Sequence, residues 1–455
     1  MSKQTSGAGR PDSGVPFTIV SADSHVGLPA EEYRPYVDSK YRDEFDAYIE
    51  DNLVFQSLFH KLGYPFSPEV LQVIDKRGAI TSGGVAGFFD AHRRLGIQAD
   101  EGVVAEILHP GGPIAVIPWA NPGTRRVFDE LRAAGTTAYN RFLADFCSVD
   151  RKRFLGVAQT YPWPDVQAAA NTVKWAAEQG MVAIYPPRFA GAENDLPPVY
   201  DRFWDPLWAA CCEHGLKVHL HAGSGKPQGF MLERIRGALA RAGDGPDALA
   251  QIFESIFDER RPLWQMMWAG VFDRFPELQV VFAEIRSYWI PPTLDALTRR
   301  NQEEGGVLKR SPWEYWQRNC AVTPTFMRVS DLDVREKIGL SKTMFGTDYP
   351  HAESTWPNTQ DFLRLVLNDV PEVDARAILG DNAINFYGLD RGYLNSLASQ
   401  YGPKPEEIIG QAQLVDSGIV QHLDHRNGLN KKVTYEDEKT ATALDVDIET
   451  ASAQR

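Results

Sequence analysis

Cysteine is scarce in this chain, with four in 455 residues (Cys147, Cys211, Cys212 and Cys320). They show neither C-x-x-C spacing nor a disulfide-dense setting, so thiolate-bound structural zinc is excluded and they read as small buried hydrophobes. Basic charge is also short: 47 Lys and Arg stand against 61 Asp and Glu, for a formal charge of −14. The basic residues are spread along the chain without forming a stripe, which argues against a nucleic-acid surface. No run of about 18 apolar residues is present, and "MSKQTSGAGRPDSGVP" lacks the apolar centre of a secretory signal. A cytoplasmic protein with no membrane association is expected. No flavin or nicotinamide fingerprint is visible, so redox chemistry would need an external reductant.

What the chain does have is a large apolar fraction, 43% hydrophobic and 11% aromatic. Its length exceeds the roughly 250 to 300 residues at which single cores stop growing, unless the fold is a barrel with insertions. Short β-rich runs recur at 17–23, 101–108, 154–160, 181–187, 216–222, 278–284, 320–325 and 342–348. Amphipathic stretches long enough to cross back over a parallel sheet separate them. Eight such units predict an α/β fold of the (β/α)8 TIM-barrel type. The expected boundaries are a disordered arm over 1–15, the barrel over 16–400 and a polar extension over 401–455 with no packable apolar face. Insertions at about 31–95 and 225–268 should cover the C-terminal mouth. They carry runs such as "LVFQSLFHKLGYPF" and "RPLWQMMWAG", and where these line the mouth they suit a bulky apolar substrate. Apolar insertions and a tail arm make a homodimer an expectation.

Polar residues gather where those strands end. Side chains alternate along a strand, so Asp23 and His25 share a side, as do His219 and His221. Glu106 lies in an otherwise apolar run, Glu284 ends the sixth strand, and Asp348 ends the eighth ahead of Tyr349, Pro350 and His351. One buried His or Glu is usually a satisfied core residue. Five converging strand ends are better explained by a metal, because buried charges must be paired or hold an ion. His219 lies one pleat deeper and reads as a hydrogen-bonding partner of the site, and His109 as a turn residue. Arg188, Arg286 and Lys226, the last in the loop "AGSGKPQG", are candidates to neutralise a substrate anion.

At "ADSHV", "VHLHAG", "FPELQVVFAEIRSYWIPPTLDAL", "MFGTDYPHAES" and "ILGDNAINFYGL" the chain resembles the amidohydrolase superfamily. The resemblance runs from about Phe17 to Leu389 and is strongest to amidohydrolase family 2 and aminocarboxymuconate-semialdehyde decarboxylase. It implies a first strand ending in His-x-His, a histidine each from strands five and six, and a metal-binding aspartate on strand eight. Those positions fall on Asp23 and His25, His221, Glu284 and Asp348, so two imidazoles are replaced by carboxylates. The fourth strand, "MVAIYPPR", has no lysine to be carbamylated as a metal bridge.

The implied metal set is Asp23, His25, Glu106, His221, Glu284 and Asp348, with Asp348, Glu284 and His351 as catalytic groups. Carboxylates favour harder cations and can bridge two ions. The resemblance also reaches amidohydrolase-fold non-haem di-iron monooxygenases of terpenoid natural-product pathways, whose substrates are apolar acyl groups carried on coenzyme A. The leading expectation is therefore a monooxygenase with two iron ions, O2 and an external reductant. The alternative is a hydrolase or non-oxidative decarboxylase with one zinc or manganese. A non-catalytic barrel holding a ligand or a structural ion is a third reading.

Overall fold

In the computed structural model the described residues are 14–50, 68–111, 117–119, 129–187, 196–222, 259–325, 327–351, 353–427 and 429–430. Among them one sheet of seven strands runs in sequence order, β1 (Ile19–Val26), β2 (Val103–Pro110), β3 (Phe154–Gln159), β4 (Ala183–Tyr185), β5 (Lys217–His221), β6 (Val280–Ala283) and β7 (Cys320–Thr323). Every neighbouring pair is parallel. Parallel neighbours need long crossovers, and helices supply them: α1 (Ala91–Glu101), α2 (Asp129–Ser148), α3 (Val166–Glu178), α4 (Asp205–His214), α5 (Arg261–Trp268), α6 (Ile290–Glu303) and α7 (Pro312–Asn319).

The expected eighth strand is present as a chain segment without regular strand pairing. Met344 N–H donates to the Val322 carbonyl at 2.9 Å on the β7 side. On the β1 side, Ala22 N–H donates to Phe345 O at 2.7 Å, Asp348 N–H to Asp23 O at 2.8 Å and His25 N–H to Tyr349 O at 2.7 Å. Residues 343–349 therefore join β7 to β1 and close the ring. Its ladder is broken because Thr347 N–H donates to the Ser21 hydroxyl at 2.9 Å rather than to a carbonyl, and Phe345 N–H turns to Ile378 O.

Period-two alternation sorts the strand residues between two cores. Val20, Ala22, Ala105, Ile107, Val157, Tyr185 and Val281 pack with one another in the lumen. Leu108, Ala158, Ile184, Val218 and Phe282 face the outer layer, where Phe142, Trp208, Trp264 and Trp289 from the helices cover them. The lumen core continues onto Ala383, Ile384, Leu394 and Ala398.

The C-terminal extension departs from expectation. Residues 401–430 include helices Pro405–Ile408 and Ser417–Asn427, and Ile408, Ile419, Leu423 and Leu429 are buried against Phe17, Phe362 and Leu363. Four widely spaced apolar residues suffice because they dock on an existing core; residues 431–455 lie outside the described set. So do 51–67 of the first expected insertion and 225–258 of the second, whose remainder includes α5. No helix among the described residues is long and apolar enough to cross a membrane.

Candidate metal centre

The strand ends stand level. His25 is in register with His109, His221 with Ala283, and Ala283 with Thr323, which brings Asp23, His25, His221, Glu284 and Asp348 to one buried place. His25 Nε2 lies 2.9 Å from Asp348 Oδ1 and 3.6 Å from Asp23 Oδ1. His221 Nε2 is 3.3 Å from Asp23 Oδ1, and its Nδ1 is 3.3 Å from Glu284 Oε2. Glu284, Arg286 and Asp348 all hold left-handed backbone, with φ of 58°, 60° and 60°. For non-glycine residues this costs on the order of 1–3 kcal/mol each and is concentrated where side chains must be aimed.

The tautomer of His25 leaves a lone pair where a cation or a proton can sit. Its Nδ1–H donates to the Pro110 carbonyl at 3.3 Å, which leaves a lone pair on Nε2 facing a carboxylate oxygen at 2.9 Å. His25 Nε2 and both oxygens of Asp348 are buried with no hydrogen-bond partner among the described residues. Two lone-pair donors at that separation repel unless a proton or a cation lies between them. Groups able to share one ion are Asp23 with His109 and His221, His25 with Asp348 and His351, and Glu284 with Asp348 and Glu353. Within the first group, however, His109 is spoken for: its Nδ1 pairs with the Tyr185 hydroxyl at 2.8 Å and its Nε2 with Ala22 O at 3.3 Å.

Charge is finely divided here. Burial pushes the Asp23 carboxyl up, but His221, His109 and His25 together outweigh it and hold it below the ordinary carboxylate range. Burial would lower His221, yet Asp23 and Glu284 raise it to about 9. Glu284 is pushed up to about 8, first by burial and then by Asp23 and Glu353 against the pull of His221. Asp348 rises well above the ordinary value, by burial and then by Glu284 and Asp23. His25 is driven well down by burial and by His351.

The structure brings together Asp23, His25, His221, Glu284, Asp348 and His351, but it separates Glu106 from them. Both oxygens of Glu106 are taken by Arg94, at 2.7 Å from Nε and 2.9 Å from Nη2, by Gln98 at 2.6 Å and by the Ser24 hydroxyl at 2.9 Å. No lone pair remains aimed at the ion groups. Arg286 is buried beside Glu284 and donates to Thr325 O at 3.2 Å, while Arg188 and Lys226 lie outside the described residues. His219 pairs with the Tyr387 hydroxyl at 2.8 Å, as its deeper position suggests. Sequence reasoning missed Glu353, which joins the carboxylate group from the turn after Asp348, and Thr325, whose hydroxyl donates to Asp23 Oδ2.

A closed parallel barrel that presents imidazoles and carboxylates at the ends of its strands defines the amidohydrolase type of metal-binding α/β protein. The amidohydrolase family pattern matches residues 115–389, and the chain belongs to that family. Solved structures with the same fold include an amidohydrolase of Mycobacterium avium subsp. paratuberculosis (18% identity, TM-score 0.59, 82% of this chain and 99% of that one). Another is 5-carboxyvanillate decarboxylase from Sphingomonas paucimobilis (19%, 0.54, 82% and 99%). A third is a dihydroxybenzoic acid decarboxylase from Polaromonas with bound manganese and the inhibitor 2-nitroresorcinol (20%, 0.55, 82% and 97%).

These findings correct the leading functional expectation. Several of these fold relatives are decarboxylases, and one carries manganese, which overturns the oxidoreductase reading and leaves two irons, O2 and a reductant without support. Carboxylate enrichment misled because it signals a hard cation, and manganese is as hard a choice as iron.

Proposed function

We propose that the protein is a metal-dependent lyase that removes CO2 from a small-molecule carboxylate without oxidation. The observation that carries this reading is the buried, unpartnered pair of His25 Nε2 and Asp348 Oδ1, in a fold shared with manganese-containing decarboxylases. Asp23, His25, His221 and Asp348 would hold one divalent cation, with manganese favoured by the two carboxylates. When bound, the cation supplies a Lewis-acid contact for the substrate carboxylate and its neighbouring oxygen.

The remaining steps belong to side chains of this chain. Glu284, whose carboxyl burial and neighbouring carboxylates raise to about 8 in the metal-free protein, would be the proton donor next to the reacting group. That proton goes to the substrate carbon as its bond to the carboxylate carbon breaks, and the bonding pair stays on the substrate as CO2 leaves. His221, clamped between Asp23 and Glu284, fixes the orientation of both. Arg286 lies near Glu284, where it weakly opposes the rise of its carboxyl, and would bind a second acidic group of the substrate. Burial of the cluster keeps bulk water from competing for the proton.

The test is CO2 release from ortho-hydroxylated aromatic carboxylates under strict anoxia, using full-length protein loaded with Mn(II). Turnover without O2 or reductant, lost with EDTA and restored by Mn(II), is the expected result. An absolute requirement for O2, or release of an amine or alcohol with the carboxylate retained, overturns it.

A further inference from the structure

Each of the two residues that face one another at 2.9 Å in the metal centre, His25 and Asp348, is gripped through the residues on either side of it, and both grips lead to one buried ion pair. Arg94 and Glu106 make that pair, with two guanidinium–carboxylate contacts and relative exposures of 0% and 4%. On the β1 side, Ser24 donates to Glu106 Oε1, and Arg94 Nη1 donates to the His25 carbonyl at 3.3 Å. On the Asp348 side, the Ser24 hydroxyl proton is spent on Glu106, so the Thr347 hydroxyl donates to Ser24 at 2.9 Å. The guanidinium also lies 3.8 Å above the Tyr349 ring, and the Tyr349 hydroxyl is anchored on Gly84 O at 2.6 Å. The neighbours Ser24, Thr347 and Tyr349 and the carbonyl of His25 itself thus converge on one guanidinium and one carboxylate.

We infer that Arg94 and Glu106 are positioning residues that set the spacing of His25 and Asp348, and that neither binds the ion. This rests on the proposed cation at that centre. Arg94 is placed for the task by α1, which is capped at its start by Asp90, whose side chain accepts from Arg93 N–H, and at its end by left-handed Gly102. An arginine is needed because its planar fork reaches a carboxylate by two contacts while a third nitrogen turns to a carbonyl and its face stacks on a ring; a lysine ammonium cannot do all of these. Partners behind metal ligands typically change affinity by about 10- to 100-fold when removed.

The experiment is Mn(II) binding by full-length protein, followed by loss of the free-ion electron paramagnetic signal, with near-ultraviolet circular dichroism recorded on the same samples. The variants are Arg94→Met, Glu106→Gln and the pair together. The double variant removes both charges and leaves no unpaired ion in the interior. Expected are native dichroism and a roughly 10- to 100-fold weaker Mn(II) affinity in the double variant, a loss similar to either single one because the pair acts as a unit. Arg94→Lys should restore only part. Wild-type affinity in the double variant overturns the inference, as does loss of native dichroism along with affinity, since the pair would then hold only the barrel. A loss in Glu106→Gln that Arg94→Met does not share would make Glu106 a ligand and overturn it as well. Failure of the wild-type protein to bind Mn(II) would instead sink the proposed function, so the two failures are distinguishable.

Discussion

Gly346 offers the sharpest test of how closely the closing segment must approach β1. A β-carbon built there would lie 2.7 Å from Asp23 Cβ, 3.0 Å from Thr323 Cγ2 and 3.0 Å from Thr325 Oγ1. Carbon atoms in contact prefer about 3.5–4.0 Å, so Gly346→Ala asks Asp23 to retreat by roughly 1 Å. None of the three neighbours can swing away, because Asp23, Thr323 and Thr325 are all at most 1% exposed. Overpacking of this kind costs about 1–3 kcal/mol. The same displacement moves the Asp23 carboxylate relative to His221 and His25, and a misplacement of about 1 Å can cost about 100-fold in rate. Expected, then, is a folded protein that melts a few degrees lower and binds Mn(II) at least tenfold more weakly, read by a thermal melt and a metal titration on one preparation. Wild-type melting and wild-type Mn(II) affinity in the Gly346→Ala variant would refute both the tight approach and the role given to Asp23.

Other outcomes follow from the charge pattern of the centre. Asp348→Asn should abolish Mn(II) binding yet raise the melting temperature of the metal-free protein, because it removes one of three clustered carboxyls; a lower metal-free melting temperature would contradict this. Glu284→His should keep Mn(II) binding close to that of the unaltered protein in a metal titration, because Glu284 is not among the four proposed ligands, while decarboxylation falls for want of the proton Glu284 carries; loss of Mn(II) binding would make Glu284 a ligand and counts against that placement. The stability of EDTA-treated protein should fall as pH rises from about 7 to about 8. Folded Glu284, raised to about 8, and folded Asp348 retain protons that the unfolded chain has lost, and His221, raised to about 9, stabilises fully below 6.5 and loses that contribution through its folded value. The lowered groups act elsewhere: Asp23 stabilises above the ordinary 3.8, and unfolded His25 binds its proton only below about 6.5. A melting temperature that rises across this interval, measured at constant ionic strength, would contradict the assigned directions.

The strand ends were legible because a parallel barrel forces β-rich runs, crossover helices and polar termini into one repeating order. On that basis the strand ends gathered Asp23, His25, Glu106, His219, His221, Glu284 and Asp348, and the family resemblance singled out all of these except Glu106 and His219. Glu106 illustrates the limit. Its place on β2 was readable, but its partner Arg94 sits on a helix after an irregular insertion, and no periodicity links the two. Glu353 escaped for a similar reason, since it follows Asp348 in a turn where neither period two nor period 3.6 aims a side chain. The eighth segment kept its position but not its ladder, because Ser21 takes the Thr347 N–H that regular pairing would use. Docking of residues 401–430 depends on surface supplied by Phe17 and Phe362, which local composition does not reveal.

That docking also bears on where the molecule can be cut. Phe17 N–H donates to the Pro403 carbonyl at 2.8 Å, and a β-carbon on Gly402 would lie 2.6 Å from the Phe17 carbonyl oxygen, so the chain leaving the barrel closes over the chain entering it. A fusion or truncation engineered at residue 400 would strip Ile408, Ile419, Leu423 and Leu429 from the core around the root of β1, only a few residues before Asp23 and His25. For protein engineering, any C-terminal truncation should therefore retain the chain at least as far as Leu429.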